Sequence, residues 1–169
     1  NVSNRKIVQV LINELKISEE KQVKVIRAID KLDKPGFGLK GVEDLLKKER
    51  KDQSGAITKG ADLTDQQAAQ ILNFLKIKDL KELKQTLKNQ LSQEGISELE
   101  NVFEILGYGS NLNQVKTNFT IVRGLAYYSD FIVETNLNFK VTNNKGKEVD
   151  IGSICSGGAY AKLISRFRG

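Results

Sequence analysis

The chain contains no histidine and a single cysteine, Cys155, among its 169 residues. Zinc sites in proteins are built mainly from histidine and cysteine, so these two shortages exclude a zinc site for practical purposes. They also exclude a serine–histidine or cysteine–histidine nucleophile pair within the chain. One cysteine cannot form an intrachain disulfide. We therefore expect no metal site here and a chemistry that depends on other side chains.

Long apolar runs are also missing. No stretch is long and apolar enough to cross a bilayer, and no signal-peptide pattern stands at the beginning of the sequence. We therefore expect a cytoplasmic protein without a membrane partner. The chain contains no methionine either. An intact translation product normally starts with one, so we expect these residues to be part of a longer protein.

The charge balance is positive, because 27 Lys and Arg residues stand against 21 Asp and Glu residues, for a net charge of +6. Basic surfaces favour phosphate-rich partners, since binding to nucleic acid releases counterions. Most of the surplus consists of lysines scattered through helical segments. Such lysines often form only the solvated face of an amphipathic helix. A nucleic-acid partner and an ordinary solvated surface both remain open on composition alone.

Apolar residues recur at helical spacing through the first two thirds of the chain. They predict helices over residues 7–15, 19–33, 41–50, 64–75, 80–91 and 97–106. The helix over 19–33 is expected to bury Val23, Ile26, Ile29 and Leu32 on one face. Thr64 and Gln67 form a capping-box pattern, and so do Ser97 and Glu100, so each pair predicts a helix start.

The composition changes at Phe119 to β-branched and aromatic residues. We predict strands over 119–122, 131–141 and 148–154, a reverse turn over 143–146 and a closing helix over 159–167. A helical block that leads into an antiparallel sheet is an α+β fold.

Two short segments contain residue types that suit an amino-acid pocket. In the first, residues 120–129 (TIVRGLAYYS), Arg123 presents a planar fork of donors that matches a carboxylate or a phosphate. Tyr127 and Tyr128 each combine an apolar face with a polar tip, which suits a heterocyclic ligand. The alternative is that both tyrosines are ordinary strand residues that face opposite sides of a sheet.

The second segment, residues 155–160 (CSGGAY), lacks two side chains at Gly157 and Gly158, so a ligand could approach the backbone closely. The alternative is that the double glycine is simply a turn. Each segment alone is weak evidence. Their occurrence together, in this order, favours a pocket.

The two segments resemble the signatures RGL(D/E)YY and (C/G)xGGRYDGL of histidyl-tRNA synthetases, a family of class II aminoacyl-tRNA synthetases. Residues 4–7 (NRKI) resemble the strand entry that follows motif 2 in bacterial members. Segments within 28–61 resemble their inserted helical region. The resemblance implies a helical insertion followed by part of the antiparallel class II sheet. It also implies an ATP-dependent ligase that activates histidine to histidyl-adenylate and transfers it to tRNA(His).

By position, the resemblance makes Arg123 a catalytic residue that contacts the histidine carboxylate and the α-phosphate, where negative charge develops. The implied histidine-binding residues are Arg123, Gly124, Tyr127, Tyr128, Gly157, Gly158 and Tyr160. The implied partners of the full-length enzyme are histidine, ATP, Mg²⁺, tRNA(His) and a second copy in a homodimer. None of the ATP or Mg²⁺ contacts can be assigned to residues of this chain.

The resemblance also divides the chain into three ranges. Residues 1–18 correspond to the entry into the catalytic core, 19–115 to the helical insertion, and 116–169 to the core strands with the histidine-pocket motifs. Because motifs 1, 2 and 3 are absent from these residues, we predict that the isolated 169 residues do not aminoacylate tRNA. Detectable histidyl-tRNA formation by them would refute this prediction.

Several positions depart from the family pattern. Ala126 stands where the family usually has Asp or Glu, and Asp130 where it often has Gly. Ala159 and Ala161 replace an Arg and an Asp. Joint loss of opposite charges avoids leaving one charge buried and unpaired. A working ligase therefore remains possible, and so does an inactive synthetase-like regulatory subunit of ATP phosphoribosyltransferase in histidine biosynthesis. An RNA-binding scaffold that uses the basic helices is a third alternative.

Overall fold

The computed structural model describes residues 1–34, 36–51, 55, 57–107, 109, 112–122, 128–149 and 151–160. The helices of this described part are α1 (Arg5–Glu14), α2 (Glu19–Ile29), α3 (Gly38–Lys47), α4 (Asp65–Phe74), α5 (Leu80–Thr86) and α6 (Gln90–Gly107). Its strands are β1 (Val2–Asn4), β2 (Arg50–Lys51), β3 (Ile57–Thr58), β4 (Phe131–Asn136), β5 (Val141–Thr142), β6 (Glu148–Val149) and β7 (Ser153–Gly158). Among these residues, no helix is both long and apolar enough to span a membrane.

A three-stranded antiparallel sheet forms the centre of the β part, in the order β1-β4-β7. The strands β2 and β3 form a separate antiparallel ribbon, and β5 and β6 form another. Helices dominate the chain up to Gly107, and the longer strands follow it. The predicted α+β class, a helical block followed by an antiparallel sheet, is therefore confirmed. The β2–β3 ribbon was not predicted.

Side-chain caps stabilise the starts of α1 and α4. Asn4 Oδ1 accepts a hydrogen bond from the backbone N of Lys6 (3.0 Å) and begins α1. Thr64 and Gln67 make the reciprocal capping box that their spacing predicts, and α4 begins directly after Thr64. Each cap satisfies backbone N–H groups that have no partner within the helix.

The predicted buried face of α2 is correct only in part. Ile26 and Ile29 are buried as expected, but Val23, also predicted to lie in the core, is 48% exposed, and Val25 and Ala28 are buried instead. The helix also ends at Ile29 rather than near residue 33. Apolar residues occupy more than one face of this helix, so their spacing alone admits two stripes. Packing against the rest of the core selects the one that contains Val25.

One long helix replaces the predicted boundary near Ser97. Ser97 and Glu100 lie inside α6, and the capping side chain is that of Asn89, whose Oδ1 accepts a hydrogen bond from the backbone N of Leu91 (2.9 Å). The predicted stripe over 80–91 is accordingly split between α5 and the first turn of α6. A capping-box pattern is a local signal, and here an earlier cap supersedes it.

The β region also differs from its prediction. Residues 119–122 do not form a strand: Asn118 Oδ1 accepts hydrogen bonds from the backbone N (3.1 Å) and Oγ1 (2.6 Å) of Thr120, which stabilises a turn. The predicted strand 131–141 is divided between β4 and β5. The turn at 143–146 is confirmed, with Gly146 at a φ of +73°. Most of the predicted closing helix over 159–167 lies outside the described residues, and neither Ala159 nor Tyr160 is helical.

One hydrophobic core connects the helices with the first edge of the sheet. Its fully buried members include Ile7 and Ile12 of α1, Leu46 of α3, Ile71 of α4 and Phe119. Val2 of β1 belongs to the same cluster, and Phe131 and Val133 of β4 pack against it. The sheet therefore turns one of its faces towards the helices, which leaves the other face for a different role.

Candidate functional site

The predicted site residues fall into two groups. Arg123, Gly124 and Tyr127 lie outside the described residues, as do Ala126 and Ala161. Tyr128, Gly157, Gly158 and Tyr160 are described. The structure therefore describes how the last two residues of the first segment, Tyr128 and Ser129, meet the second segment.

The pairing register of the sheet determines which residues share a face, because paired residues point to the same side and successive residues alternate. Val133 pairs with Val2 on one side and Gly157 on the other, and this set faces the helical core. Ile132 pairs with Ser3 and Gly158, on the opposite face. Glu134 and Ser156 continue that second face. We call it the open face because Ile132 lies outside the helical core cluster, although Ser3 and Ile132 are themselves fully buried.

Tyr128 packs directly onto Gly158 at the open face. A Cβ atom added to Gly158 would lie 2.8 Å from both Cγ and Cδ1 of the Tyr128 ring, and 2.9 Å from the carbonyl oxygen of Phe131. Real Cβ atoms do not approach other atoms so closely, so the ring occupies space that only a glycine leaves free. Gly157 and Gly158 lie in β7, so the interpretation of the double glycine as a turn is wrong.

Backbone hydrogen bonds also join the two segments. The N–H of Ser129 donates to the carbonyl oxygen of Ala159 (2.9 Å), and the N–H of Ala159 donates to that of Phe131 (2.8 Å). Two segments about thirty residues apart in sequence are thus held side by side, as a shared pocket requires. The alanine at position 159 does not disturb this pairing, because only its backbone takes part.

The open face also contains polar groups. Glu134 is 9% exposed, and the side chain of Ser3 is completely buried. Ser3 Oγ has no hydrogen-bond partner among the residues that the structure describes. Tyr160, expected to form the opposite wall of the pocket, is 54% exposed, so its ring is accessible at the end of β7.

Two charged residues at the start of α1 lie next to the first segment, although the sequence did not identify them as pocket residues. Arg5 is 8% exposed and its Nη1 donates to the carbonyl oxygen of Val122 (3.3 Å). Lys6 Nζ lies 3.3 Å from Asp130 Oδ1. The resemblance of residues 4–7 to the family's strand entry was the only signal that marked them, and it gave no indication of their contacts.

The electrostatics of this pair follow from burial and partners. Burial lowers the pKa of Arg5 below its ordinary value. The hydrogen bond from Lys6 to Glu98 raises the pKa of Lys6, and Asp130 raises it further, against the opposing effect of burial. Lys6 is thus surrounded by the carboxylates of Glu94, Glu98 and Asp130.

A basic groove lies elsewhere, between α2 and the β2–β3 ribbon. It encloses about 510 Å³ and is lined by Lys24, Arg27, Lys31 and Lys59, with Asp30 as its one acidic residue. Lys24, Arg27 and Lys59 form no ion pair with any described carboxylate. The lysines of α3, in contrast, are neutralised by nearby carboxylates. The groove therefore concentrates positive charge.

The described residues bring together no group of three cysteine, aspartate or glutamate side chains placed to hold a metal ion. We therefore assign no residue of this part of the chain to Mg²⁺.

Known proteins resemble the chain over its whole length. It is 76% identical over 169 residues to the histidine–tRNA ligase of Pelagibacter ubique, a match that covers 100% of this chain and 36% of that protein. The crystal structure of the Nostoc histidyl-tRNA synthetase superposes with a TM-score of 0.68 at 30% identity, over 99% of this chain and 36% of that one.

A Bacillus halodurans structure described as an ATP phosphoribosyltransferase regulatory subunit/histidyl-tRNA synthetase also superposes, with a TM-score of 0.68. Its identity is only 16%, over 99% of this chain and 38% of that one, so it supports the fold alone. No protein-family model matches the chain. The chain spans about a third of the length of the curated relatives it matches. By its sequence and by the fold of its described residues, this chain belongs to the histidyl-tRNA synthetase family.

Proposed function

We propose that this chain acts as part of a histidine–tRNA ligase, which activates histidine with ATP and transfers it to tRNA(His) for protein synthesis. The observation that carries the proposal is the 76% identity, over the whole chain, to a histidine–tRNA ligase. The packing of Tyr128 on Gly158 supports it, because this contact joins the two segments expected to form the histidine pocket.

In this proposal the open face of the sheet binds histidine. Tyr128 supplies an aromatic wall for the imidazole, and Gly158 allows the ring to lie close to β7. Gly124, Tyr127 and Tyr160 complete the pocket, and Gly157 contributes only its backbone, because its Cβ position faces the core side of the sheet. Arg123 contacts the histidine carboxylate and the α-phosphate, where its fixed charge stabilises the negative charge that develops in the transition state.

ATP is the second substrate in this proposal, and Mg²⁺ accompanies it in the full-length enzyme. Mg²⁺ would neutralise phosphate charge when bound. The chain's own contribution is to hold and orient histidine against the α-phosphate through Arg123. We further propose a homodimeric, cytoplasmic full-length enzyme, with residues 1–18 and 116–169 in the catalytic core and 19–115 as its helical insertion.

The basic groove supports tRNA as the third substrate. A phosphodiester backbone is attracted to cations that no carboxylate neutralises, and Lys24, Arg27 and Lys59 meet this condition among the described residues. Thr58, on the wall of the same groove, adds a hydroxyl suited to a phosphate oxygen. The groove lies within the range 19–115, which we propose as the helical insertion.

Removing these three cations is expected to weaken tRNA binding. In the full-length ligase, the triple variant Lys24→Ala, Arg27→Ala, Lys59→Ala should raise the KM for tRNA(His) about tenfold or more at moderate salt, because phosphate contacts are lost. The plot of log affinity against log salt concentration should become less steep by about two to three, roughly one unit for each lost phosphate contact. Aminoacylation rates at varied tRNA concentration measure the KM, and filter binding across a salt series measures the slope.

The matched control is a triple alanine variant at Lys76, Lys81 and Lys88, which are exposed lysines outside the groove. It removes the same net charge from a different surface. Equal effects of the two triple variants would show that overall charge, and no specific groove, attracts the tRNA.

The ligase proposal is tested by histidine-dependent ATP–pyrophosphate exchange in the full-length protein that contains this chain. We expect clear exchange in the natural protein and a decrease of about two to three orders of magnitude for Arg123→Ala, which removes the proposed transition-state contact. Arg123→Lys keeps the charge but loses the planar fork, so it should recover only part of the rate.

The second candidate function is an inactive regulatory subunit of ATP phosphoribosyltransferase. The alanines at 126, 159 and 161 favour it, because the family usually has charged residues at these positions. Absence of exchange in the natural full-length protein would contradict the ligase proposal and support this alternative. Binding of acceptor-stem RNA without any histidine affinity would instead support an RNA-binding scaffold.

A further inference from the structure

The first turn of α1 contacts the first signature segment at both of its ends. On the upstream side, Arg5 Nη1 donates to the carbonyl oxygen of Val122 (3.3 Å). On the downstream side, the backbone N of Arg5 donates to the carbonyl oxygen of Asp130 (2.8 Å), and Lys6 Nζ lies 3.3 Å from the Asp130 carboxylate. Residues 122 and 130 bracket Arg123 and Tyr128, so one short piece of helix holds both ends of the proposed pocket segment.

Lys6 is itself held from the opposite side by α6. Its Nζ lies 2.5 Å from Glu98 Oε1 and 3.9 Å from Glu94 Oε2. Asn4 Nδ2 donates to the other carboxylate oxygen of Glu98 (2.6 Å). The two partners of this hydrogen bond from Lys6 to Glu98 are 92 residues apart in sequence. Lys6 is therefore the common partner of a helix in the proposed insertion and of the pocket segment.

The close packing of α6 on α1 keeps this arrangement in place. A Cβ atom added to Gly95 would lie 3.2 Å from both Asn4 Oδ1 and Lys6 Cβ. The side chain of Lys6 is 20% exposed and that of Asp130 is 26% exposed. Ion pairs at this degree of burial are less screened by solvent than pairs on an open surface. The ion pair of Lys6 and Asp130 can therefore restrain the backbone at Asp130.

Few bonds separate the ion pair of Lys6 and Asp130 from the proposed histidine pocket. Asp130 Oδ2 accepts a hydrogen bond from Ser129 Oγ, and the N–H of Ser129 donates to Ala159 of the second segment. Tyr128 directly precedes Ser129, and its ring lies on Gly158. A shift of Asp130 therefore moves the backbone that presents the Tyr128 ring to the open face.

We propose that Lys6 is a positioning residue of the histidine site: it fixes Asp130 against α6 and thereby sets the position of Tyr128. The inference rests on the proposed function of the open face in binding histidine. Lys6 does not touch the ligand in this arrangement.

The test uses Lys6→Met in the full-length protein, which keeps the length of the side chain and removes its charge. We expect the Kd for histidine, measured by titration calorimetry, to rise about tenfold, the effect of losing one charge-assisted hydrogen bond. In pyrophosphate exchange the KM for histidine should rise while the KM for ATP stays unchanged. Lys6→Arg should restore most of the affinity, because it retains the charge.

Lys84→Met is the matched control, since Lys84 Nζ also lies 2.5 Å from a carboxylate of α6, that of Glu100, without contact to the pocket segment. We expect its histidine affinity to equal that of the natural protein. A double-mutant cycle with Asp130→Asn should show strong coupling, so that adding Lys6→Met to Asp130→Asn weakens histidine binding little further. Asp130→Asn alone provides the same affinity test if Lys6→Met does not fold.

Unchanged histidine affinity in Lys6→Met, or additive effects in the cycle, would overturn the inference. So would a natural protein that does not bind histidine at all. Calorimetry separates this inference from the ligase proposal, because it reports binding without catalysis. A natural protein that binds histidine but shows no exchange would contradict the ligase function, while the Lys6 variants would still test the positioning.

Discussion

Gly158→Ala is expected to lower the histidine affinity of the full-length protein about a hundredfold. The added Cβ would lie 2.8 Å from two ring atoms of Tyr128 and 2.9 Å from the carbonyl oxygen of Phe131, so the ring must move by about an ångström. Displacements of that size in a positioned group commonly cost about two orders of magnitude in activity. Calorimetric titration with histidine and the KM for histidine in pyrophosphate exchange both measure the loss.

Gly157→Ala is the matched comparison, one residue away on the same strand. Its added Cβ would point to the core face, 3.5 Å from Val133 Cγ1, an ordinary van der Waals contact. We expect its loss of affinity to be at least tenfold smaller than that of Gly158→Ala, and its melting temperature to stay close to that of the natural protein. Equal losses would show that the contact of Tyr128 with Gly158 does not shape the site.

Gly60→Ala is expected to cause the largest loss of stability. A Cβ at this position would lie 1.4 Å from the carbonyl oxygen of Lys48 and 2.8 Å from that of Leu45. Both neighbours are backbone atoms near the end of α3, so no side chain can rotate away to make room. Overpacking that shifts the backbone typically costs about 1 to 3 kcal/mol, and we expect a loss at the upper end of this range. Thermal unfolding of the full-length protein should show a clear decrease in the melting temperature.

Hydrogen exchange identifies where this loss arises. Next to Gly60, the N–H of Ala61 donates to Leu45 (2.8 Å) and the N–H of Leu63 donates to Leu46 (2.9 Å). Both amides should exchange faster in the variant. The control is Gly107→Ala at the end of α6, where an added Cβ meets nothing within 4 Å. It should change stability by no more than about 1 kcal/mol, with a favourable contribution from helix propensity. Equal destabilisation by both variants would contradict the prediction.

Gly158→Ala and Gly60→Ala test different parts of the structure. Gly60 allows the segment before α4 to cross the end of α3 and so belongs to the helical core. Gly158 allows a tyrosine to lie on the sheet and so belongs to the proposed pocket. The contacts of Arg5 and Lys6 connect these parts, because α1 begins directly after the strand β1 and packs on α6.

Local signals predicted the local structure well. Thr64 and Gln67 are three residues apart, and their capping box forms as the spacing indicates. Asn143 and Gly146 form the predicted turn for the same reason. In both cases the interacting groups are close in sequence, so the stabilising hydrogen bonds do not depend on how the rest of the chain packs.

Local signals failed where distant packing competes with them. Residues 119–122 have the composition of a strand, yet the side chain of Asn118 stabilises a turn that buries Phe119 in the helical core. Val23 fits a helical stripe, but the helix turns Val25 to the core instead. In each case the residue types were compatible with two structures, and the surrounding core determined which one has the lower free energy.

The sequence alone identified the α+β class, the two signature segments and the family that they resemble. Short motifs and apolar periodicity span only a few residues, so they can be recognised without the tertiary structure. Only the tertiary structure showed that Gly158 faces the open side of the sheet beneath Tyr128, and that Lys6 joins Asp130 to Glu98. These contacts join residues about 30 to 120 positions apart. Their formation depends on strand register and helix packing, which no local pattern encodes.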